Sequence, residues 1–455
     1  MKNIDRRSFL KKTSVASAGV LASQSIMKPY SKKSSANDTI NVAVIGIRNR
    51  GRDHYRALSQ IPNVKIVALC DIDPRFFPET VAEVEKLTGY KPAIETEFRK
   101  ILDNKDINVV SIATPNHWHA LQTIWACQAG KDVYVEKPVS HTVVEGRKMV
   151  EAARKYDRIV QTGTQSRSSI ATINAFKYLQ EGGLGDIYMS KGLCLKPRAS
   201  IGHTKNSPIP DGVNWDGFLG PAPYRPFNEN RFHYKWHWFW DTGNGDLGNQ
   251  GIHQADLARW ALNKWTHPVR IHGTGNYFVF DSDQETPNIQ HMEFEYEDGT
   301  LLQFEVRGLG TNPEGEIRIG NIIYGSKGWM KVASEDVGGC QAIYSNVQMT
   351  PSGFSSYSEE MGPKFTDDDP AKADSVVNHY NNFFDCVRSR NWQALHADIL
   401  EGHLSTALCH LGNIATRLKR SLQFNPHAEN FVDDAEADSY LTKTYRYPYV
   451  LPEQV

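Results

Sequence analysis

The sequence predicts a doubly wound α/β domain with a parallel sheet, followed by an α+β domain with a mostly antiparallel sheet. The first observation is the apolar run at residues 42–45, which is typical of a strand buried on both faces and ends at Gly46. The second is that apolar strands continue to alternate with helical patterns for about four further units. The third is a series of period-2 segments in the second half of the chain, which predicts antiparallel strands.

Length and charge limit the possible functions. A chain of 455 residues is too long for one ordinary hydrophobic core, so we expect two domains with appended segments. The net charge of −1 and the pI near 7.0 give no electrostatic attraction for nucleic acid or for an anionic membrane. Partners should therefore be small and mostly neutral molecules.

The first residues of the chain predict export. Arg6 and Arg7, followed by Phe9 and Leu10, closely match the twin-arginine signal, and an apolar stretch of small residues follows at 13–27. That stretch is too short and too rich in serine and alanine to span a bilayer. We expect a folded protein that the twin-arginine pathway exports to the periplasm, with no stable membrane insertion after the signal is removed.

The cysteines show no pattern of a metal or redox site. They are scattered, without a C-x-x-C pair and without a histidine at metal-ligand spacing, so we interpret them as buried thiols. The predicted export leaves disulfides open. The six residues are Cys70, Cys127, Cys194, Cys340, Cys386 and Cys409.

The first strand leads into a turn typical of dinucleotide binding. Gly46 and Gly51 occupy the first and third glycine positions of that turn, and Arg48 stands where the middle glycine usually lies. The middle position normally lets the backbone approach a pyrophosphate, so Arg48 predicts a looser approach in which its guanidinium meets the phosphates. Asn49 and Arg50 complete the predicted cofactor turn.

The second predicted strand, at residues 64–69, is followed by an acidic residue. Asp71 is placed to accept hydrogen bonds from the adenosine ribose hydroxyls, and its charge would repel a 2′-phosphate. This predicts NAD, while Arg75 nearby keeps NADP open. The alternative is a Rossmann-like fold that binds another nucleotide or none.

Two further strands, predicted at residues 109–113 and 132–135, end in polar residues. A ligand of a doubly wound sheet binds at this edge. His117 and His119 are not interpreted as a zinc pair, because no thiol or carboxylate cluster joins them, and no metal site is predicted. The candidate cofactor residues at the two strand ends are Thr114, Pro115, Asn116, His119, Glu136 and Lys137.

These strand-end motifs carry a family resemblance. Thr-Pro-Asn-x-x-His at residues 114–119, followed by Glu-Lys-Pro at 136–138 and preceded by the glycine turn, resembles the glucose-fructose oxidoreductase, inositol dehydrogenase and rhizopine-catabolism (Gfo/Idh/MocA) family. The resemblance implies a Rossmann domain and an α+β domain whose open sheet covers the nicotinamide. It also implies NAD(P)-linked chemistry on a sugar, polyol or related alcohol, and a homo-oligomer, either a dimer or a tetramer.

The remaining elements complete the predicted domains. The pattern predicts helices at 142–156, 169–181, 376–389 and 399–419, and strands at 159–162, 187–195, 269–280, 290–296, 301–307 and 317–324. Residues 351–373 are predicted to be polar and irregular, and the tail from residue 424 is not placed. The predicted segments are a signal and leader at 1–38, a Rossmann domain at 39–165, a substrate and oligomerisation domain at 166–425 and a tail at 426–455.

Lys137 and His253 are the candidate catalytic residues. Oxidation of a secondary alcohol needs a base for the hydroxyl proton while hydride leaves for the nicotinamide. Lys137 follows a strand end and should have a lowered pKa beside a cationic nicotinamide. The resemblance implies that a lysine and a histidine from the two domains meet over the nicotinamide, and His253 matches that histidine.

One position departs from the resemblance. Inositol dehydrogenase-like members carry an aspartate four residues before the histidine, where this chain has Asn249. An amide cannot act as a base or orient His253 as a carboxylate would, so that part of the mechanism does not transfer. Asp241, Asp246 and Asp256 are the alternatives, and the sequence does not choose among them.

The long segment at 196–250 is the candidate substrate region. It is rich in proline, glycine and aromatic residues, and loops of this length are usually functional. Aromatic rings beside polar groups suit a pyranose, although the tryptophans could instead pack a loop or a subunit contact. The candidate substrate contacts are Arg167, Arg198, His237, Trp238, Asn249 and His253.

Three functions are consistent with these residues. The first is an exported NAD(P)-dependent oxidoreductase of a sugar, glycoside or polyol with tightly bound cofactor. The second is a redox-neutral glycosidase, lyase or epimerase that works through a transient keto-sugar, as some relatives of the family do. The third is a non-catalytic sugar- or nucleotide-binding protein, which the combination of Asp71, Lys137 and His253 disfavours.

Overall fold

A computed structural model of the chain describes residues 39–333, 339–367 and 374–455. The predicted signal and leader at 1–38 lie outside these residues. Among the helices described, none has the length and apolarity that a membrane crossing requires.

The predicted doubly wound domain is confirmed. Its sheet has the order β3-β2-β1-β4-β5-β6, and the paired strands run parallel. The order reverses between β1 and β4, so a crevice opens where the chain leaves these two strands. The strands are β1 Ile40–Ile45, β2 Val64–Cys70, β3 Ala93–Glu95, β4 Val109–Ile112, β5 Asp132–Val135 and β6 Val160–Thr162.

Helices cover both faces of this sheet. The strands β4 and β5 are therefore buried along their whole length. Local sequence fixes several helix ends. The hydroxyl of Thr142, for example, accepts a hydrogen bond from the N–H of Glu145 at the start of α5. The helices are α1 Arg50–Leu58, α2 Phe77–Thr88, α3 Phe98–Asp103, α4 Asn116–Gln128 and α5 Val143–Lys155.

The second sheet is mostly antiparallel, as the period-2 segments predict. Its order is β14-β13-β12-β11-β7-β10-β9-β8-β15-β16, and β7 and β10 form a parallel pair within it. The strands are β7 Ile187–Cys194, β8 Arg270–Asn276, β9 Ile289–Glu295, β10 Leu301–Arg307, β11 Ile319–Gly325, β12 Gly328–Ala333, β13 Gly339–Thr350, β14 Gly353–Phe365, β15 Leu422–Asn425 and β16 Asn430–Phe431.

The prediction of irregular structure at 351–373 is wrong for most of its length. Strand β14 occupies Gly353–Phe365 and pairs with β13 in a long hairpin. The segment has little hydrophobic alternation, and most of its residues are exposed. Its strand conformation depends on backbone pairing with β13, which a reading of hydrophobic period does not detect.

Helices of the second half return to the first sheet. The aromatic side chains of Tyr380 and Phe383 share a core with Val42 and Val44 of β1. The tail also packs there, because Tyr449 joins the core on the other face of the sheet. The remaining helices are α6 Ile170–Gln180, α7 Trp215–Leu219, α8 Gly245–Asn249, α9 Gly251–Ala261, α10 Ser375–Ser389, α11 Ile399–Leu418 and α12 Ala435–Asp438.

Several buried histidines make the folded state sensitive to acid. Burial lowers the pKa of His117 and His410 to about 3, and that of His379 and His403 to about 4. These values lie below the ordinary value near 6.5, so the unfolded chain binds protons first as pH falls. The stability these groups provide is complete above about pH 6.5 and declines as pH falls toward the folded values.

We therefore expect the thermal unfolding midpoint to fall between pH 7.5 and pH 5.5. Each of the four histidines should lower the free energy of unfolding by on the order of 1 kcal/mol at the lower pH. In calorimetry His410→Gln should flatten the pH dependence, while His427→Gln, at an exposed position, should not change it. A midpoint independent of pH would contradict the neutral buried state of these histidines.

Candidate active site

A cavity of about 610 Å³ lies across the carboxyl ends of the parallel strands. Its volume is in the range of small-molecule and cofactor sites. Eleven of the twelve predicted cofactor residues line it: Gly46, Arg48, Asn49, Arg50, Asp71, Thr114, Pro115, Asn116, His119, Glu136 and Lys137. His237 and Asn249 from the long segment line it as well.

The glycine turn allows a close approach between β1, α1 and the end of β4. Gly46 has φ 83°, and a Cβ there would lie 2.6 Å from the carbonyl oxygen of Ala113. A Cβ at Gly51 would lie 1.9 Å from the carbonyl oxygen of Gly46, so Gly51 supports the turn although it does not line the cavity. Helix α1 begins directly after Asn49, and no side chain caps this N-terminus. An uncapped helix N-terminus at a cavity fits an anionic group.

Arg48 provides an unpaired donor at the same wall. Its guanidinium lies 3.9 Å from the ring centroid of Phe76, and its Nη1 is buried without a partner among the described residues. Burial lowers the pKa of Arg48. A buried guanidinium nitrogen without an acceptor is costly, so a phosphate oxygen at this wall would satisfy it. The turn therefore fits the pyrophosphate of a dinucleotide.

Asp71 is held rigidly at the end of β2. Its Oδ2 accepts the N–H of Ile47 at 3.0 Å and its Oδ1 accepts the N–H of Asp73 at 3.0 Å. Burial raises the pKa of Asp71, against the lowering effect of these two N–H groups. Each oxygen keeps a lone pair for a ribose hydroxyl. Arg75, the residue that left NADP as an alternative cofactor, is held by Asp73 through contacts of 2.7 and 2.6 Å.

Glu136 and Lys137 follow β5. Glu136 is buried and accepts hydrogen bonds from Arg50 Nε at 2.7 Å, from His54 Nε2 at 3.0 Å and from the N–H of Lys137 at 3.1 Å. Burial alone would raise the pKa of Glu136, but the charge of Arg50 and the hydrogen bond from His54 hold it well below the ordinary value. Lys137 Nζ donates to the carbonyl oxygen of Asn249 at 2.8 Å. Burial lowers the pKa of Lys137.

His253 lies in the first turn of α9 and does not line the cavity. Burial, followed by the charge of Lys137, lowers its pKa to about 3, and its Nδ1 has no partner among the described residues. His253 is therefore a neutral, half-buried side chain close enough to Lys137 to feel its charge.

The three alternative aspartates are all engaged in ion pairs. Asp241 pairs with Arg225 at 2.7 Å, and Asp246 pairs with Arg198 through contacts of 2.8 and 2.7 Å. Asp246 alone of the three touches a cavity residue, because Asn249 Nδ2 donates to its Oδ1 at 3.4 Å.

The third aspartate, Asp256, pairs with Arg167, which the sequence predicts as a substrate contact. Arg167 does not line the cavity; it forms a buried ion pair with Asp256 at 2.7 and 2.8 Å and contacts Glu401 at 3.0 Å. This network joins α9 to α11 inside the second domain. We therefore interpret Arg167 as a structural residue.

The predicted residues of the long segment divide between the cavity wall and its support. His237 lines the cavity, and its Nδ1 contacts the carbonyl oxygen of Tyr234 at 2.5 Å. Trp238 is buried behind the wall, 5.5 Å from the Arg198 guanidinium. Sequence reasoning missed Tyr234, whose hydroxyl oxygen contacts both Arg198 and Asn249. Its position beside His237 in the aromatic run was the available signal.

The first part of the long segment lies on the cofactor side of the cavity. The N–H of Asn214 donates to the carbonyl oxygen of Ile72 at 3.0 Å, directly beyond Asp71. Trp118 Nε1 donates to Gly217 at 3.0 Å, and His117 Nε2 contacts Phe218 at 2.9 Å. Residues 214–218 therefore cover the end of the cavity at which Asp71 lies, a role that the predicted sugar-stacking function does not include.

The described ranges contain one group with metal-like spacing, formed by His267, His403 and Glu429 outside the cavity. Both histidines already hydrogen bond Glu429, at 2.9 and 3.0 Å, and Arg147 neutralises the same carboxylate. The guanidinium already neutralises the negative charge of Glu429, which would otherwise attract a cation. His119, in contrast, contacts the carbonyl oxygens of Pro138 and Thr114, both at 2.7 Å, and so fixes the two strand-end loops.

Comparison with family models identifies both halves of the chain. Residues 40–164 match the oxidoreductase family model described as an NAD-binding Rossmann fold. Residues 198–319 and 363–451 match the C-terminal alpha/beta domain of the same oxidoreductase family.

Curated relatives match over part of their length. A glycosyl hydrolase family 109 protein of Shewanella pealeana is 29% identical over 205 residues, which are 40% of this chain and 44% of the relative. Levoglucosan dehydrogenase of Pseudarthrobacter phenanthrenivorans is 28% identical over 237 residues, 50% of this chain and 52% of the relative. The chain thus spans about half the length of the curated relatives it matches.

Solved structures share the fold. Levoglucosan dehydrogenase in complex with NADH and levoglucosan aligns with a TM-score of 0.61 at 18% identity, over 85% of this chain and 99% of that chain. The WlbA dehydrogenase of Bordetella pertussis, in complex with NADH and UDP-GlcNAcA, aligns with a TM-score of 0.62 at 18% identity and the same coverage.

The position of Asp71 generates a test of cofactor preference. We expect Asp71→Ala to weaken NAD binding far more than NADP binding, because the carboxylate accepts hydrogen bonds from the ribose diol of NAD and repels the 2′-phosphate of NADP. Titration of purified, cofactor-free protein with each nucleotide measures both affinities. Glu79→Ala, an exposed change on α2, is the control. Equal weakening of both nucleotides would remove Asp71 from the ribose.

Proposed function

The chain belongs to the Gfo/Idh/MocA oxidoreductase family, and from that premise we propose that it oxidises a secondary hydroxyl of a sugar, glycoside or polyol. One observation carries the proposal: Lys137 Nζ lies at the cavity wall, where the end of β5 meets the carbonyl oxygen of Asn249. An amine at the junction of a nucleotide domain and a polar wall is placed to hold an alcohol beside a nicotinamide.

Lys137 would accept the hydroxyl proton. When bound, NAD supplies a nicotinamide C4 that accepts the hydride from the carbinol carbon. Burial lowers the pKa of Lys137, which increases the fraction of neutral amine that can take a proton. The hydrogen bond to Asn249 uses one N–H and fixes the direction of the amine, so its lone pair is free for the substrate.

The wall opposite the strand ends fits a carbohydrate. Tyr234, Trp236 and His237 contribute aromatic rings, and Asn249 contributes an amide. Sugar rings stack their C–H faces on aromatic rings and direct their hydroxyls to polar groups. This composition favours a sugar or glycoside over an apolar alcohol.

The purified protein should reduce its nicotinamide when mixed with members of a panel of mono- and disaccharides, and should reoxidise it with their 3-keto forms. Nicotinamide absorbance near 340 nm follows both directions. Lys137→Met should keep fold and cofactor binding and lose about 10²–10⁴-fold in hydride transfer, as loss of a positioned acid–base group does. Lys86→Met, on the exposed surface of α2, is the matched control. Near-native transfer by Lys137→Met would refute the role of Lys137.

The comparisons favour a second candidate, a redox-neutral glycosidase that works through a transient keto-sugar. Several matched relatives are named as glycosyl hydrolase family 109 proteins, and one from Shewanella oneidensis as an alpha-N-acetylgalactosaminidase. In such a reaction the hydride returns to the same sugar. Release of sugar from a glycoside without net change in absorbance would distinguish it from a dehydrogenase.

We also propose that the protein acts in the periplasm with NAD as a nearly permanent group. The twin-arginine motif at Arg6 and Arg7 supports export after folding, and no pool of NAD is maintained outside the cytoplasm. The contacts of residues 214–218 beside Asp71 support slow release, because these residues would add contacts at the adenosine end of a bound cofactor.

Protein purified without added nucleotide should therefore contain NAD close to one per chain, measured in the supernatant after denaturation. Asn214→Ala removes the side chain that caps α7 at the N–H of Gly217, so it should lower this occupancy. Asn346→Ala, exposed on β13, is the control. A nearly empty wild-type site, with turnover that depends on added NAD, would refute retention.

A further inference from the structure

Four side chains form a closed ring of hydrogen bonds beside Lys137. Arg198 binds Asp246 through Nε and Nη2, at 2.8 and 2.7 Å. Asp246 accepts from Asn249 Nδ2 at 3.4 Å, and the same Nδ2 donates to the hydroxyl of Tyr234 at 3.2 Å. Arg198 Nη1 closes the ring by donating to the Tyr234 hydroxyl at 3.2 Å.

The ring fixes the orientation of the Asn249 amide. A reversed amide would place its oxygen against the carboxylate of Asp246, which is unfavourable, so the NH₂ group must point into the ring. Asp246 itself cannot rotate because the bidentate contact with Arg198 holds it. Tyr234 therefore receives two donors, and neither neighbour can accept its proton.

The hydroxyl proton of Tyr234 must then point out of the ring. Both available directions for lone pairs on the phenol oxygen are taken by Arg198 and Asn249. Tyr234 lines the cavity and is 43% exposed, and its hydroxyl contacts among the described residues are these two donors. The proton is therefore left to donate outside the ring, where a ligand in the cavity would provide the acceptor.

We propose that Tyr234 is a catalytic residue that donates a hydrogen bond to the reacting oxygen of the substrate. This inference rests on the proposed oxidation of an alcohol. As Lys137 takes the hydroxyl proton and the hydride leaves the carbinol carbon, negative charge passes through the oxygen on its way to C=O. The Tyr234 O–H stabilises that charge without giving up its proton, and the cation of Arg198 polarises the phenol toward stronger donation.

A single residue, Asn249, links the two reacting groups. The backbone oxygen of Asn249 binds Lys137 Nζ, and its side chain binds Tyr234. One residue of α8 thus sets the separation between the proton acceptor and the proposed donor. Arg198 and Asn249 are positioning residues in this scheme, because they act through Tyr234.

The test is Tyr234→Phe in the holoenzyme with a sugar that the wild type oxidises. Loss of one preorganised donor to a developing oxyanion should lower kcat by about 10²–10³-fold while KM changes little. Tyr224→Phe, exposed in the same long segment and outside the cavity wall, should keep full activity. If Tyr234 only stacks on sugar, Tyr234→Phe keeps kcat, and the proposal is overturned.

A second variant tests the direction of the proton. Asn249→Asp restores the aspartate of inositol dehydrogenase-like members, but its carboxylate would accept the Tyr234 proton and turn it away from the cavity. We expect kcat to fall at least tenfold, with Asn249→Gln recovering part of it. An Asn249→Asp variant that is more active than the wild type and has the same unfolding temperature would overturn the proposal. If wild-type enzyme oxidises no sugar, the proposed function fails first; if it does and Tyr234→Phe is unimpaired, only the role of Tyr234 fails.

Discussion

The site depends on the hydrogen bonds and the ion pair that satisfy the buried carboxylate of Glu136. A charge removed from water is tolerated only when it is paired and hydrogen bonded, and Glu136 binds Arg50, His54 and the N–H of Lys137. These partners lie on the glycine-turn helix and at the end of β5. Gly163 leaves the necessary room, since a Cβ there would lie 2.7 Å from Glu136 Oε1. One carboxylate thus fixes the turn and the proposed base relative to each other.

The same network extends to the second half of the chain. His54 Nδ1 contacts Ser111 at 2.9 Å, and Ser111 contacts the hydroxyl of Tyr380 on α10 at 2.8 Å. From the other side, Asn249 reaches back to Lys137. The site is therefore assembled from both domains, and the long segment serves both ends of it. Residues 214–218 cover the cofactor end, whereas Tyr234 and its neighbours form the polar wall next to Lys137.

Much of the fold could be predicted because its signals are local. The strand at β1, the turn at Gly46 and the acid at Asp71 lie within 32 consecutive residues, and their order alone indicates a dinucleotide fold. Helical and strand periods also placed most elements of the second domain. The hairpin of β13 and β14 escaped because its polar side chains carry no period, and the tail escaped because Tyr449 packs on Trp118, more than 300 residues away in sequence.

The sequence by itself determined the family and the parallel sheet, and it predicted Asp71 as the acid of the cofactor site and Lys137 as the candidate base, since each is encoded by neighbouring residues. Only the tertiary structure decided which polar groups meet. It pairs Arg167 with Asp256 in the core and brings Tyr234 to Asn249. The physical reason is that hydrophobic period acts along the chain, whereas a buried charge must find its partner in space, wherever packing brings one within hydrogen-bond distance.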